Sequence, residues 1–232
     1  MCVRYNLLKA QSTIEAIADY IASQLNAPEE DAPRYNVTLS HTMPVVALKN
    51  DLPQVHQMRW GLVPHYERTK TQKRMLPNAK AETARMLSPF QDGVAKRRCL
   101  VPANGFYEWE TQGKLKLPHL FTLKDEVPFA FAGFWDPGDG NIPDSYTILT
   151  TEPNDLIKPI HHRMPVILTR KTMKPWLGST ILSNSDYREL TRPVSADAMQ
   201  TRAVNRYVNN SRHDGPQCLA PPDEEPRDLV LF

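Results

Sequence analysis

Cysteine is scarce in this chain, and what there is stands far apart. Cys2, Cys99 and Cys218 are the only three in 232 residues. The number is odd and no C-x-x-C pair occurs, so neither a disulfide framework nor a zinc site is expected. The thiols read as reduced, in a reducing compartment. No apolar run approaches the roughly 18 residues that a membrane span needs. The N-terminus lacks a basic stretch followed by an apolar one, so no signal peptide is read. The expected location is the cytoplasm, with nucleoid association in a bacterium. There is no internal repeat, and no linker interrupts residues 1–213. A composition of 41% hydrophobic and 23% charged residues suits a globular core, and the length supports one of good size.

Neither sign of charge dominates, since the net charge is +2. Its distribution is uneven. Residues 214–232 hold Asp214, Asp223, Glu224, Glu225 and Asp228 against Arg227, a net of −4 that leaves +6 for the body. Basic residues gather at Arg68, Lys70, Lys73, Arg74 and Lys80, and again at Lys96, Arg97 and Arg98. A moderately basic body is compatible with nucleic acid without demanding it. The acidic, proline-rich stretch after Asp214 predicts a poorly ordered tail.

Periodicity supplies the elements. Cys2 to Leu8 reads as a first strand. Ser12 and Glu15 form a capping box for a helix whose apolar face is Ile14, Ile17, Ile21 and Leu25, with Pro28 at its exit. Met43–Leu48 and Val55–Trp60 read as a hairpin across Lys49-Asn50-Asp51. Residues 64–77 read as an exposed basic loop, and Ala79–Leu87 as a short helix. Strands are expected at Arg98–Pro102, Gly105–Glu110, Leu117–Leu123, Phe129–Trp135, Ser145–Thr151, Met164–Thr169 and Thr201–Val208. Short helices are expected at Lys171–Leu177 and Asp186–Thr191. Many short strands without β-α-β alternation predict an α+β fold. Its core would be an antiparallel sheet or barrel with peripheral helices, in a single domain over 1–213.

Four places could carry chemistry. Cys2 follows Met1, and removal of the methionine would leave an N-terminal cysteine. Its α-amine and thiol have reference pKa values near 7.7–8.0 and 8.5, so both nucleophiles are partly available at neutral pH. Together they can trap an aldehyde: the amine forms an imine and the thiol closes a thiazolidine. The same pair could attack an ester or amide. Asn78, in Pro77-Asn78-Ala79-Lys80-Ala81-Glu82-Thr83, read alone is an N-cap. Glu108, in Phe106-Tyr107-Glu108-Trp109, shares a strand face with Phe106 and Glu110, opposite Tyr107 and Trp109. It is either a solvent-facing glutamate or a carboxylate held against aromatics with a raised pKa. His161 and His162 are adjacent and would face opposite ways on a strand. That disfavours a metal pair and leaves a single functional histidine beside Arg163, or a structural one.

The order of these motifs is more specific than any of them. Cys2 and Arg4, Arg34-Tyr35-Asn36, Trp60-Gly61, Asn78 to Thr83, Phe106 to Trp109, and Ile160-His161-His162-Arg163-Met164-Pro165 follow one another. In this the chain resembles the SRAP (SOS response-associated peptidase) family from residue 2 to about 209. The resemblance implies a compact α+β fold that binds single-stranded DNA and cross-links to abasic sites through its N-terminal cysteine as a thiazolidine. It also implies a lyase-type activity and a self-processing step that exposes the cysteine. Carried over by motif, Cys2 is the nucleophile, Asn78 a positioning residue, Glu108 a proton carrier and His161 an acid/base acting on the sugar. Arg4, Lys80 and Arg163 would meet phosphates, Asn36 would join the DNA contacts, and Trp60 or Trp109 would stack on a base. No metal or organic cofactor is implied, and a monomer is expected. The sequence departs from the family at Val3, where glycine is usual, at Lys80, where arginine is common, at His162, where aspartate is frequent, and at Leu39-Ser40-His41, where an Ala-Pro pair is usual. Two other readings use the same residues: an N-terminal cysteine peptidase or amidohydrolase acting in trans, and a non-covalent single-strand binder.

Overall fold

In the computed structural model, side-chain alternation sorts the strands into layers. Residues 3–26, 32–70 and 74–223 are described. The chain runs β1 (Tyr5–Leu7), α1 (Ala10–Ile21), β2 (Arg34–Val37), β3 (Thr42–Lys49), β4 (Leu52–Trp60), β5 (Asn78–Lys80), α2 (Ala81–Ala84), α3 (Gln91–Lys96) and β6 (Arg98–Ala103). It continues with β7 (Gly105–Gln112), β8 (Leu115–Leu123), β9 (Phe129–Asp136), β10 (Ser145–Thr151), β11 (Met164–Pro165), β12 (Ile167–Leu168), α4 (Arg170–Leu177), α5 (Asn184–Leu190) and β13 (Met199–Ala203).

One sheet has the order β13-β8-β7-β1-β2. The other follows β11-β10-β4-β3-β6-β9-β12 and turns back on itself where β9 also pairs with β10, which makes a barrel-like ring. Phe129 and Phe131 of β9 face the core shared with Tyr5, Leu7, Phe106 and Phe121 of the first sheet. The alternate residues Ala130 and Ala132 face a second core with Ile17 and Ile21 of α1 and Met173 and Trp176 of α4. Small residues on that side let the helices approach the sheet. Gly133 serves the opposite approach, since a Cβ there would lie 2.9 Å from the Thr147 carbonyl of β10. On the far face of the first sheet, Tyr107 and Leu120 pack with Val204, Val208 and Cys218.

The expected α+β fold with an antiparallel, barrel-like core is the one observed, and most strands fall where alternation placed them. Asn50 and Asp51 both have positive φ (52° and 61°), as the tight turn of the β3–β4 hairpin requires. Several local expectations fail. Ser12 lies inside α1, whose N-cap is Lys9. The chain enters the helix early because the Asn104 side chain accepts from the Leu8 amide at 2.7 Å. The helix at 79–87 is cut to Ala81–Ala84 because residues 78–80 pair in parallel with β10. Segment 164–169 is two short strands, since β11 pairs with β10 and β12 with β9. Strand β13 ends at Ala203, and a 3-10 turn covers Arg206–Asn209.

The tail expectation also needs correction over 214–219. Asp214 accepts from the Tyr35 and Asn36 amides and pairs with Arg34 at 2.6 Å. Cys218 is fully buried under the first sheet. Acidic character therefore marks a capping residue here rather than the onset of disorder. Residues 224–232 lie outside the described residues.

Candidate active site

The core of the first sheet gives out at Glu108. Phe106 and Glu108 share a face of β7, as their spacing requires. Phe106 is wholly inside the core and Glu108 stands two residues further on, 3% exposed. Across from it, the loop between β10 and β11 brings in His161. Val3 and Arg4, at the start of the described chain, lie beside both. With Trp109, Lys116 and Asn209 these residues line a cleft of about 490 Å³.

Glu108 Oε1 has no hydrogen-bond partner among the described residues. Burial of this carboxyl pushes its pKa up to about 7. His161 Nδ1 is 3.8 Å from Oε1, an ion-pair distance that is too long for a hydrogen bond. The imidazole is half-buried, and burial lowers its pKa. Its Nδ1 lies 2.8 Å from the Arg163 carbonyl and 3.2 Å from the Arg163 amide. A ring nitrogen cannot donate and accept at once, and the shorter contact assigns the proton to Nδ1. The basic lone pair is then on Nε2. At neutral pH the pair holds one carboxyl near its midpoint and one largely neutral imidazole, which suits proton transfer in either direction.

A collar of hydrogen bonds fixes the rim. The Arg4 guanidinium donates to Asn36 Oδ1 at 3.0 Å and to the Val208 carbonyl at 2.9 Å, and it lies 5.8 Å from the Trp109 ring centroid. Trp109 Nε1 donates to Asn209 Oδ1 at 2.7 Å, and Asn209 Nδ2 donates to the Lys116 carbonyl at 3.0 Å. Trp109 thus lies half-buried along the cleft, held from its edge.

The other expected site residues divide. Cys2 lies outside the described residues. Lys80 is exposed at the N-cap of α2. Asn78 is not an N-cap: it sits in β5, 8% exposed, with Nδ2 3.5 Å from the Ile148 carbonyl and Oδ1 without a hydrogen-bond partner among the described residues, and it is not among the described residues that line the cleft. Trp60 is fully buried, edge-on to Tyr5 at 5.2 Å, and donates to the Pro77 carbonyl. Base stacking is closed to it, and core packing is its role. Asn36 is also fully buried, and donates to the carbonyls of Val208, Asn210 and His213. It shapes the collar from inside and cannot touch DNA directly. The Arg163 guanidinium is bound in a fork to both oxygens of Glu82 at 2.9 and 2.8 Å, and also to the Thr150 carbonyl. In this state it is committed to protein partners rather than open to a phosphate.

The basic clusters are partly internal as well. Arg68 and Arg97 share Asp136. Arg98 is 4% exposed and donates to the carbonyls of Trp176, Val94, Ala95, Gly178 and Thr180. Lys73 lies outside the described residues. Among the described residues no three His, Cys, Asp or Glu side chains are grouped to hold a metal ion, and no helix is long and apolar enough to cross a membrane.

Two cleft residues escaped the sequence reading. Lys116 could have been found by pairing β7 with β8, where it stands opposite Thr111. Asn209 reaches Trp109 from a hundred residues away and leaves no local signal.

The fold and site define a β-rich domain that sets a carboxyl–imidazole pair beside Val3 and Arg4. The chain belongs to the SOS response associated peptidase (SRAP) family, whose model matches residues 1–211. It is similar to the abasic site processing protein YoqW of Bacillus subtilis, with 33% identity over 223 residues, covering 94% of this chain and 99% of that one. The abasic site processing protein HMCES of Gallus gallus is 29% identical, over 82% of this chain and 66% of its own length. Among solved structures, a protein from Bacteroides thetaiotaomicron superposes with a TM-score of 0.78 at 27% identity, covering 95% of this chain and 99% of that one.

Proposed function

We propose that this protein processes abasic sites in single-stranded DNA by covalent capture, with Cys2 as the nucleophile once Met1 is removed. The observation that carries the reading is the cleft itself, where Glu108 and His161 face each other beside Val3. One peptide bond joins Val3 to the preceding residue, and it spans about 3.8 Å between α-carbons. The names of the curated relatives supply the substrate.

An abasic deoxyribose is mostly a closed hemiacetal. His161 opens it by moving a proton at the ring oxygen. The Cys2 amine attacks the freed aldehyde, Glu108 carries protons, and one water leaves to give an imine. The thiol then adds across the C=N bond, its sulfur bonding to carbon and its proton passing to nitrogen. The product is a thiazolidine, and no oxidant or reductant is consumed. Confining amine, thiol and aldehyde in one cleft removes much of the entropic barrier. Lys80 and Lys116 attract the DNA backbone as point charges, and the Trp109 face is a platform for a neighbouring base. The amine must be free, so removal of Met1, whether by self-processing or by an aminopeptidase, precedes capture.

The test is a denaturing gel of untagged protein with a single-stranded oligonucleotide carrying one abasic site. A heat-stable protein–DNA band is expected, absent with Cys2→Ala and on undamaged DNA. No band from protein shown by mass to begin at Cys2 would overturn the reading. Turnover of a peptide or amide by the same protein would favour a peptidase acting in trans.

A further inference from the structure

We infer that Glu82 is a positioning residue for His161, acting through Arg163. Glu82 lies on α2 and His161 on the loop before β11, on separate elements. Arg163 connects them. Its Nη1 and Nη2 donate to the two Glu82 oxygens at 2.9 and 2.8 Å, and Nη2 also donates to the Thr150 carbonyl of β10 at 2.6 Å. The Arg163 side chain is 12% exposed, so the fork is held largely out of water on its own side, while Glu82 is 50% exposed.

Such a planar fork fixes the orientation of Arg163 as a single charge would not. The Arg163 backbone is what orients the histidine, since its carbonyl accepts from His161 Nδ1 at 2.8 Å. The strand pairs Thr150–Pro165 and Thr151–Met164 anchor the two residues that follow Arg163. Arg163 is thus pinned by the sheet from one side and by Glu82 from the other. The carbonyl between those constraints sets which imidazole nitrogen carries the proton. Without Glu82 the guanidinium loses two of its acceptors, the backbone at 163 gains freedom, and the ring exchanges between tautomers. A misplaced acid/base group costs rate on the order of ten- to a hundredfold.

The rate arm of the test rests on the covalent-capture reading, and the spectroscopic arm does not. Nitrogen-15 NMR of the imidazole in the DNA-free protein should show the Nδ1–H tautomer of His161. In Glu82→Ala and in Arg163→Lys it should shift to a mixture, and adduct formation should slow on the order of tenfold or more. Glu189→Ala, which breaks the exposed Arg192–Glu189 pair, should change neither. If Glu82→Ala fails to fold, Arg163→Lys carries the test. An unchanged His161 spectrum in a folded variant of either kind would overturn the proposal. A shifted spectrum in protein that forms no adduct at all would support it and remove the capture reading instead.

Discussion

Glu108 Oε1 and His161 Nδ1 stand 3.8 Å apart at the point where the first sheet's apolar core ends. Neither residue type is unusual in a strand or a loop. Their juxtaposition is, because it leaves a nearly buried carboxyl with an oxygen lacking any hydrogen-bond partner among the described residues. A fold retains such a group at a cost in stability, and that cost is measurable.

The carboxyl is raised from 4.5 to about 7 by burial. A raised folded-state value means that the folded form holds its proton more tightly than the unfolded form. Stability from this group is therefore complete below about pH 4.5 and is lost as pH rises to about 7. Above that it stays lost. Glu108→Gln removes the titration, so relative to the parent it should gain up to about 3 kcal/mol at pH 8 and little at pH 4. Denaturant unfolding of both proteins across pH checks this. A parent–variant difference that does not change with pH would refute the raised value.

The same substitution should slow adduct formation on the order of a hundredfold near neutral pH and leave DNA affinity almost unchanged. Quenched time courses with an abasic oligonucleotide, alongside binding to a non-reactive analogue, separate the two. A large loss of binding would place Glu108 in the DNA contact instead.

Cys2→Ser keeps an amine and exchanges the thiol for a poorer nucleophile. It should still form an imine, trapped by borohydride, but no heat-stable adduct. An adduct as stable as the parent's would contradict thiazolidine closure. Residues placed ahead of Cys2 should abolish both products, because they block the amine.

The two tryptophans named by the motifs should separate cleanly. Trp109→Ala removes the platform and should weaken single-strand binding by about 1–3 kcal/mol. Trp60→Phe loses the hydrogen bond to the Pro77 carbonyl and some core volume. It should lower stability by about 1–3 kcal/mol and leave affinity alone. Equal losses of affinity from both would contradict the burial of Trp60.

That pair also shows where the sequence was legible. Alternation placed β7 and put Glu108 on the face of Phe106, and the Asn50-Asp51 turn announced its hairpin. Motif order brought Glu108 and His161 to one site. What the sequence could not reveal was which polar side chains are turned inward. Trp60, Asn36 and Arg98 look like surface readers of DNA by type, yet each turns its N–H donors to backbone carbonyls. Those partners lie from 3 to 177 residues away, and all but the two nearest to Arg98 are beyond any window of local periodicity. Asp214 misled for the same reason: its acceptors cap the remote Tyr35 and Asn36 amides.

The internal use of so much basic charge leads to a last expectation, about salt. Each phosphate neutralised by a lysine or arginine releases counterion, so affinity for a single strand falls with a slope of about 0.7 per contact in log salt. Lys80 and Lys116 are exposed, and Lys116 lines the cleft. Removing either as Lys→Ala should reduce the slope by about that amount. Arg97 is already neutralised by Asp136 at 2.7 Å and donates to the Trp135 carbonyl. Its replacement by alanine should leave the slope where it was, although it carries the same formal charge. Titrations from low to moderate salt with a non-reactive oligonucleotide read the three slopes directly. A slope lowered by Arg97→Ala and untouched by Lys80→Ala or Lys116→Ala would move the DNA path off this cleft and towards the C-terminal end of β9.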